Sequence, residues 1–136
     1  ARRLGYPLSI AVLDVDNFKE VNERYGHLGG DAALRAIAET ISRGVRRDVD
    51  IPCRYGGDEF AIILPGADLE SAAEVARRIR DEVSRIMEPR LTISGGVAEL
   101  GAHDPEVLVH IANKAMFRAK SLGGDLIFVE HETADT

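Results

Sequence analysis

The sequence predicts an α/β sandwich, a mixed sheet with helices laid against it. Three observations predict it. Short β-branched apolar runs alternate with longer amphipathic stretches, in the order strand, two helices, hairpin, helix, strand, helix, strand. A chain of 136 residues fits one domain and can bury a real core. Its 45% apolar and 29% charged composition is that of an ordinary globular protein. Strand order stays open at this level.

Leu8 to Leu13 reads as a buried strand, ended by Asp14-Val15-Asp16. If the backbone is still extended there, the two acids share a face. A helix follows from Asn17, with Asp16 as its expected N-cap. Tyr25-Gly26-His27-Leu28-Gly29-Gly30-Asp31 reads as a glycine-rich loop. It leads into a second helix with Leu34, Ile37, Ala38, Ile41 and Val45 on one stripe, and Asp31 suits its N-cap. Arg46-Arg47-Asp48-Val49-Asp50 is a charge run of the kind found in solvated loops.

Cys53-Arg54-Tyr55 reads as extended, and Phe60 to Leu64 as a buried strand stopped by Pro65-Gly66. Gly56-Gly57 between them predicts a two-residue hairpin turn with positive φ. Asp68 to Met87 is an amphipathic helix, with Leu69, Ala76, Ile79 and Val83 among its inward residues. Leu91 to Ser94 is a strand that Gly95-Gly96-Val97-Ala98 continues, the two glycines signalling a bulge or close packing. Asp104-Pro105 opens a helix that Gly123 stops, with Met116 and Phe117 most simply core or near-core residues. Leu126 to Val129 is a last strand, and Glu130 to Thr136 a polar tail.

Composition narrows the function. A net charge of -6 argues against a general nucleic-acid or anionic-membrane binder. An acidic chain that binds a polyphosphate needs local cations or metal ions. The single Cys53 excludes an internal disulfide and fits a reducing, cytoplasmic setting. No apolar run approaches the roughly 20 residues of a membrane span, and Ala1-Arg2-Arg3 is not followed by a signal-peptide core. The histidines lack zinc-site spacing, and His27 reads as structural.

The conflict in this pattern lies at Asp58-Glu59, adjacent acids at the rim of a hairpin, where they disfavour strand formation. Such local conflicts mark functional sites. Gly56-Gly57-Asp58-Glu59-Phe60 resembles the signature of the GGDEF family, the diguanylate cyclases. Asp14-Val15-Asp16-Asn17-Phe18-Lys19 with Asn22, Gly26-His27 with Gly30-Asp31, Arg47 with Asp50, and Ala119-Lys120 match other family segments in order and spacing. The resemblance runs from about Leu8 to Val129.

The resemblance implies a palm-like nucleotidyl-cyclase fold, with a mixed, largely antiparallel sheet of about five strands flanked by helices. It implies that two GTP condense into cyclic di-GMP with loss of two pyrophosphates. Asp58 and Glu59 would be catalytic, and Asp14, Val15, Asp58 and Glu59 would hold two Mg²⁺ or Mn²⁺ ions. Asn17, Phe18, Lys19 and Lys120 would meet the nucleotide phosphates, and Asn22 and Asp31 the guanine. For Lys120 a favourable helix-dipole position is a sufficient alternative. A carboxylate suits guanine, which offers two N–H donors where adenine offers no N1–H. Arg47 and Asp50, helped by Arg78, would form a product-inhibition site. One chain would bind one GTP, so catalysis would need a homodimer, brought together by an N-terminal sensor or receiver module.

Residues 1–136 are expected to be one catalytic domain excised from a longer signalling protein, without the family's N-terminal helix. A second departure is Gly124, where the family carries a basic residue that meets phosphate. The alternative is a silent domain that binds GTP or cyclic di-GMP as a sensor. A cyclase making a mixed GMP–AMP product is disfavoured by Asp31.

Overall fold

The structure, a computed structural model, describes residues 7–54, 56–87, 91–101 and 104–130. Tyr55, the tail beyond Glu130 and the Ala1-Arg2-Arg3 stretch lie outside them. The elements run β1 (Leu8–Val15), α1 (Phe18–Gly44), β2 (Ile51–Arg54), β3 (Glu59–Pro65), α2 (Leu69–Ile86), β4 (Ile93–Glu99), α3 (Pro105–Ser121) and β5 (Ile127–Val129). The sheet order is β2-β3-β1-β4-β5. β1 is antiparallel to both neighbours and only the β4–β5 pair is parallel, so the sheet is mixed as expected.

Strand alternation sorts the side chains into two cores. Ala11, Leu13 and Val15 of β1 and Phe60, Ile62 and Leu64 of β3 face α1 and α2, where Leu34, Ile37, Ile79 and Val83 meet them. Ile10 and Val12 of β1 face the other way, against Leu108, Ala112 and Met116 of α3. The closest approach in this second layer is at Gly96. A Cβ there would lie 2.2 Å from the Ala112 carbonyl oxygen and 2.3 Å from the Met116 nitrogen. Gly96 therefore serves close packing of α3 on the sheet, while Gly95 makes room on the opposite face for Leu13 and Ile127.

Several local expectations are corrected. The predicted loop over 25–31 is almost entirely helical: α1 runs through it, broken only by a kink at Gly26 (φ 75, ψ 171). The two predicted helices are thus two arms of one bent element, and Asp31 lies inside the second arm rather than at its N-cap. Asp16 is not the cap of α1 either, since Asn17 holds that position in a left-handed conformation (φ 55). β4 begins at Ile93, leaving Leu91 and Thr92 outside the strand. Phe117 is 63% exposed, on the outer side of α3, while Met116 is buried as expected. The helix expected over Asp68 to Met87 is present as α2, with Asp68 as its N-cap, accepting from the Ser71 N–H at 2.8 Å.

Asp16 is instead the joint where three segments meet. Its carboxylate accepts from Ser94 Oγ at 2.7 Å, Thr92 Oγ1 at 2.8 Å and the Asp125 N–H at 2.8 Å, with Lys120 Nζ at 3.2 Å. Its own N–H donates to the Thr92 carbonyl at 2.9 Å. Burial pushes the Asp16 carboxyl up, but the bonds from Ser94, Asp125 and Thr92 and the Lys120 charge outweigh it and hold it below its ordinary 3.8.

Two outcomes follow from this packing. Gly96→Val forces α3 off the sheet and destabilises the domain by about 3 kcal/mol or more, read by urea unfolding; an unchanged midpoint would contradict the contact. Because the Asp16 pKa is lower in the folded chain than in the unfolded one, its stabilisation is complete above 3.8 and disappears as pH falls through the folded value. Asp16→Asn is therefore less stable than the wild type at neutral pH. The gap between them narrows as the pH is taken below 3.8, measured by unfolding across a pH series.

Candidate active site

The antiparallel pairing of β1 with β3 places Asp14, at the end of one strand, directly opposite Glu59, at the start of the other. Both stand in the alternation class that faces α3. The Val15 N–H donates to the Asp58 carbonyl at 3.2 Å, which ties the loop before β3 to the end of β1. One carboxylate oxygen each from Asp14, Asp58 and Glu59 then lies within 4.8 Å of the others.

The hairpin that delivers Asp58 and Glu59 is wider than predicted. Arg54 pairs with Phe60, a register in which Gly56 and Gly57 cannot by themselves form a two-residue turn. The glycine at 56 is needed for proximity: a Cβ there would meet Glu59 Oε1 at 2.8 Å and Glu59 Cβ at 3.1 Å. Arg54 steadies the loop, its Nη2 and Nε donating to the Gly57 carbonyl at 2.7 and 3.1 Å. Sequence reasoning did not single out Arg54. Its position one residue before the loop was the available signal.

The electrostatics follow from crowding acids in a half-buried place. Burial is the main cause that raises the Asp14 carboxyl to about 6; Lys120 pulls it down and Asp58 pushes it back up. Lys120 is the nearby cation, with Nζ 3.4 Å from Asp14 Oδ1, 3.2 Å from Asp16 Oδ1 and 3.2 Å from the Val15 carbonyl. It sits in the last turn of α3, where a cation is favoured, but its contacts point it at the acids. Hard carboxylate oxygens gathered this closely fit Mg²⁺ or Mn²⁺, which bind oxygen donors and compete with protons for them.

The other sequence-predicted residues fall around this centre. Asn17, Phe18 and Lys19 form the turn and first residues of α1 immediately after the acids, with Lys19 exposed. Asn22 lies farther along the first arm, its Oδ1 1.9 Å from where a Cβ on Gly30 would stand, so the kink folds the second arm onto it. Asp31, next to Gly30, is exposed. Gly124 has φ +79, and a Cβ there would come within 3.1 to 3.2 Å of the Asp16 carboxylate atoms. The turn after α3 is thus closed onto Asp16.

Arg47 and Asp50 lie in the loop between α1 and β2, and Arg78 lies on α2 beside the end of α1. Arg47 is exposed, whereas Asp50 is buried, against the expectation of a solvated loop. Arg78 donates to the Gly44 carbonyl at 2.7 Å.

Comparison with known proteins agrees with this geometry. Residues 1–125 match the family described as diguanylate cyclase, GGDEF domain. The response regulator PleD of Caulobacter vibrioides is 39% identical over 133 residues, covering 90% of this chain and 29% of PleD. Diguanylate cyclase DosC of Escherichia coli is 39% identical over 131 residues, covering 90% of this chain and 28% of DosC. The chain thus spans less than a third of the length of these relatives. Among solved structures, the active GGEEF domain of a diguanylate cyclase from Vibrio cholerae superposes with a TM-score of 0.91 at 29% identity, over 98% of this chain and 88% of that one. The GGDEF domain of DgcB from Caulobacter crescentus, solved in complex with c-di-GMP, has a TM-score of 0.89 at 31% identity, over 95% of this chain and 81% of that one. With the family model matched over residues 1–125 and with these relatives, the chain belongs to the GGDEF family.

Proposed function

We propose that the domain is a diguanylate cyclase that joins two GTP into cyclic di-GMP and releases two pyrophosphates. The observation that carries this reading is the convergence of Asp14, Asp58 and Glu59 within 4.8 Å at the end of the β1–β3 pair. In each half-reaction the ribose 3′-oxygen of one GTP attacks the α-phosphorus of the other. The bond to the bridging oxygen breaks, and pyrophosphate leaves with its electron pair. Asp58 or Glu59 takes the hydroxyl proton. Two divalent ions, Mg²⁺ or Mn²⁺, held by Asp14, Val15, Asp58 and Glu59, would neutralise the triphosphate and lower the hydroxyl pKa.

The remaining residues bind and orient. The turn at Asn17-Phe18 offers backbone N–H groups at the start of α1, a favourable place for phosphate. Lys19 and Lys120 add positive charge. Asn22 and Asp31 read the guanine edge, with the acid accepting from its two N–H donors. One site holds one GTP, so two copies must face each other across a two-fold axis. The relatives are more than three times the matched length, and PleD is named a response regulator; both support a longer chain in which an N-terminal sensor or receiver brings two such domains together. No helix among the described residues is long and apolar enough to cross a membrane, and we place the domain in the cytoplasm, where GTP is available. Product inhibition at Arg47, Asp50 and Arg78 completes the proposal.

A second reading is favoured by Gly124, which leaves out a basic residue: a domain that holds GTP or cyclic di-GMP without turning it over. Incubating an enforced dimer with GTP and Mg²⁺ and separating the products by chromatography distinguishes the two. Formation of cyclic di-GMP supports the cyclase, and bound but unconverted GTP supports the sensor. Glu59→Gln lowers turnover at least about a hundredfold while the thermal midpoint stays close to wild type; undiminished activity contradicts the role. Mg²⁺ raises the thermal midpoint of the wild type, a chelator reverses the rise, and Asp14→Asn shows neither effect. An equal response in Asp14→Asn would remove that residue from the metal site.

A further inference from the structure

The carboxylate of Asp50 is fully committed inside the chain. Its side chain is 0% exposed, and Arg46, at 41% exposure, covers it. Arg46 Nη2 donates to Asp50 Oδ1 at 2.6 Å, and Nε lies 3.0 and 3.1 Å from the two oxygens. The Arg46 backbone N–H donates to Oδ2 at 2.7 Å, and the Asp50 N–H returns to the Arg46 carbonyl at 2.9 Å. The same guanidinium reaches the Pro65 carbonyl at 2.8 Å, fastening the loop to the end of β3. Arg47 is turned to solvent beside this closed loop, and Arg78 is fixed to the last residue of α1.

The donor pattern is informative. Through Nε–H and Nη2–H a guanidinium presents two nearly parallel donors to a carboxylate. Guanine presents the same pattern through N1–H and its exocyclic amino group, and adenine does not. We propose that Arg46 is an internal stand-in for a guanine edge at Asp50, and that it competes with the base of cyclic di-GMP for that carboxylate. The inference rests on the reading of Arg47 and Asp50 as a product site.

Product binding then takes two steps in sequence. Arg46 swings into solvent, which its partial exposure allows, and the guanine takes over its two bonds while Arg47 and Arg78 meet the phosphates. A buried carboxylate left without a partner is costly, so the exchange proceeds only when a ligand with paired donors replaces the fork. The closed loop lowers the apparent affinity by the fraction of chains in which it is open. Arg46 lies outside the Arg47–Asp50 pair, so it adjusts the site's strength without belonging to the pair that recognises the ligand.

The test is calorimetric titration of cyclic di-GMP into the wild type, Arg46→Ala, Arg46→Lys and Arg47→Ala. Arg46→Ala is expected to bind about tenfold tighter than wild type. Arg46→Lys, which keeps the charge but loses the fork, should fall between them. Cyclic di-AMP should show no gain with either variant. Equal or weaker binding of cyclic di-GMP by Arg46→Ala overturns the competition, and if Arg47→Ala still abolishes binding the product site itself stands. Binding that survives Arg47→Ala, or no binding by any protein, overturns the product-site reading and the competition with it. If Arg46→Ala does not fold, Arg46→Lys decides: tighter binding supports the competition, and unchanged or weaker binding refutes it.

Discussion

The antiparallel register that sets Asp14 opposite Glu59 is the constraint on which the rest of this domain depends. It brings like charges to one face of the sheet, where burial and the neighbouring Asp58 raise the cost of ionising Asp14. A sheet tolerates that only at its end, where the acids are half-buried and a cation can be brought in. The paired strands hold Asp14 and Glu59 opposite each other, and the Val15 N–H bond to the Asp58 carbonyl fixes the third acid beside them, the kind of fixed spacing a site for divalent ions needs. Lys120 arrives from the far end of α3 because Gly96 lets that helix settle against β4.

Two aspartates separated by one residue illustrate how surroundings decide chemistry. Asp14 is half-buried beside Asp58, and its carboxyl rises to about 6. Asp16 is more buried, yet its carboxyl falls, because Ser94, Thr92 and the Asp125 N–H all donate to it. The first is left electrostatically unsatisfied in a way that favours taking a cation. The second is fully hydrogen-bonded and joins the ends of β1 and β4 to the turn after α3. Its bond to Lys120 also ties this structural joint to the acids.

Much of the fold was legible because its physics is local. Strand runs such as Phe60 to Leu64 and the amphipathic helix expected over Asp68 to Met87 follow from period, and both formed where expected. The clustering of Asp14, Asp58 and Glu59 was expected from the resemblance to the GGDEF family, and β1–β3 pairing brings the three together. Hydrogen bonds between distant segments were not legible. Asp16 met the local criterion for an N-cap, but donors far away in the chain, at Thr92, Ser94 and Asp125, won its carboxylate. The glycine-rich stretch over 25–31 met the local criterion for a loop, but Gly26 alone leaves the helical conformation and the second arm begins directly after it.

By itself, then, the order of residues determined most of the element types, since periodicity is carried by near neighbours, and the resemblance that its motifs carry named the acids expected to come together. Only the folded chain decided the strand order, the wide hairpin before β3, the enclosure of Asp16 and the closing of Arg46 over Asp50. Strand order and the enclosure of Asp16 depend on which distant segments the packed layers bring within bonding distance, and even the local Arg46–Asp50 pair is anchored to the Pro65 carbonyl at the end of β3.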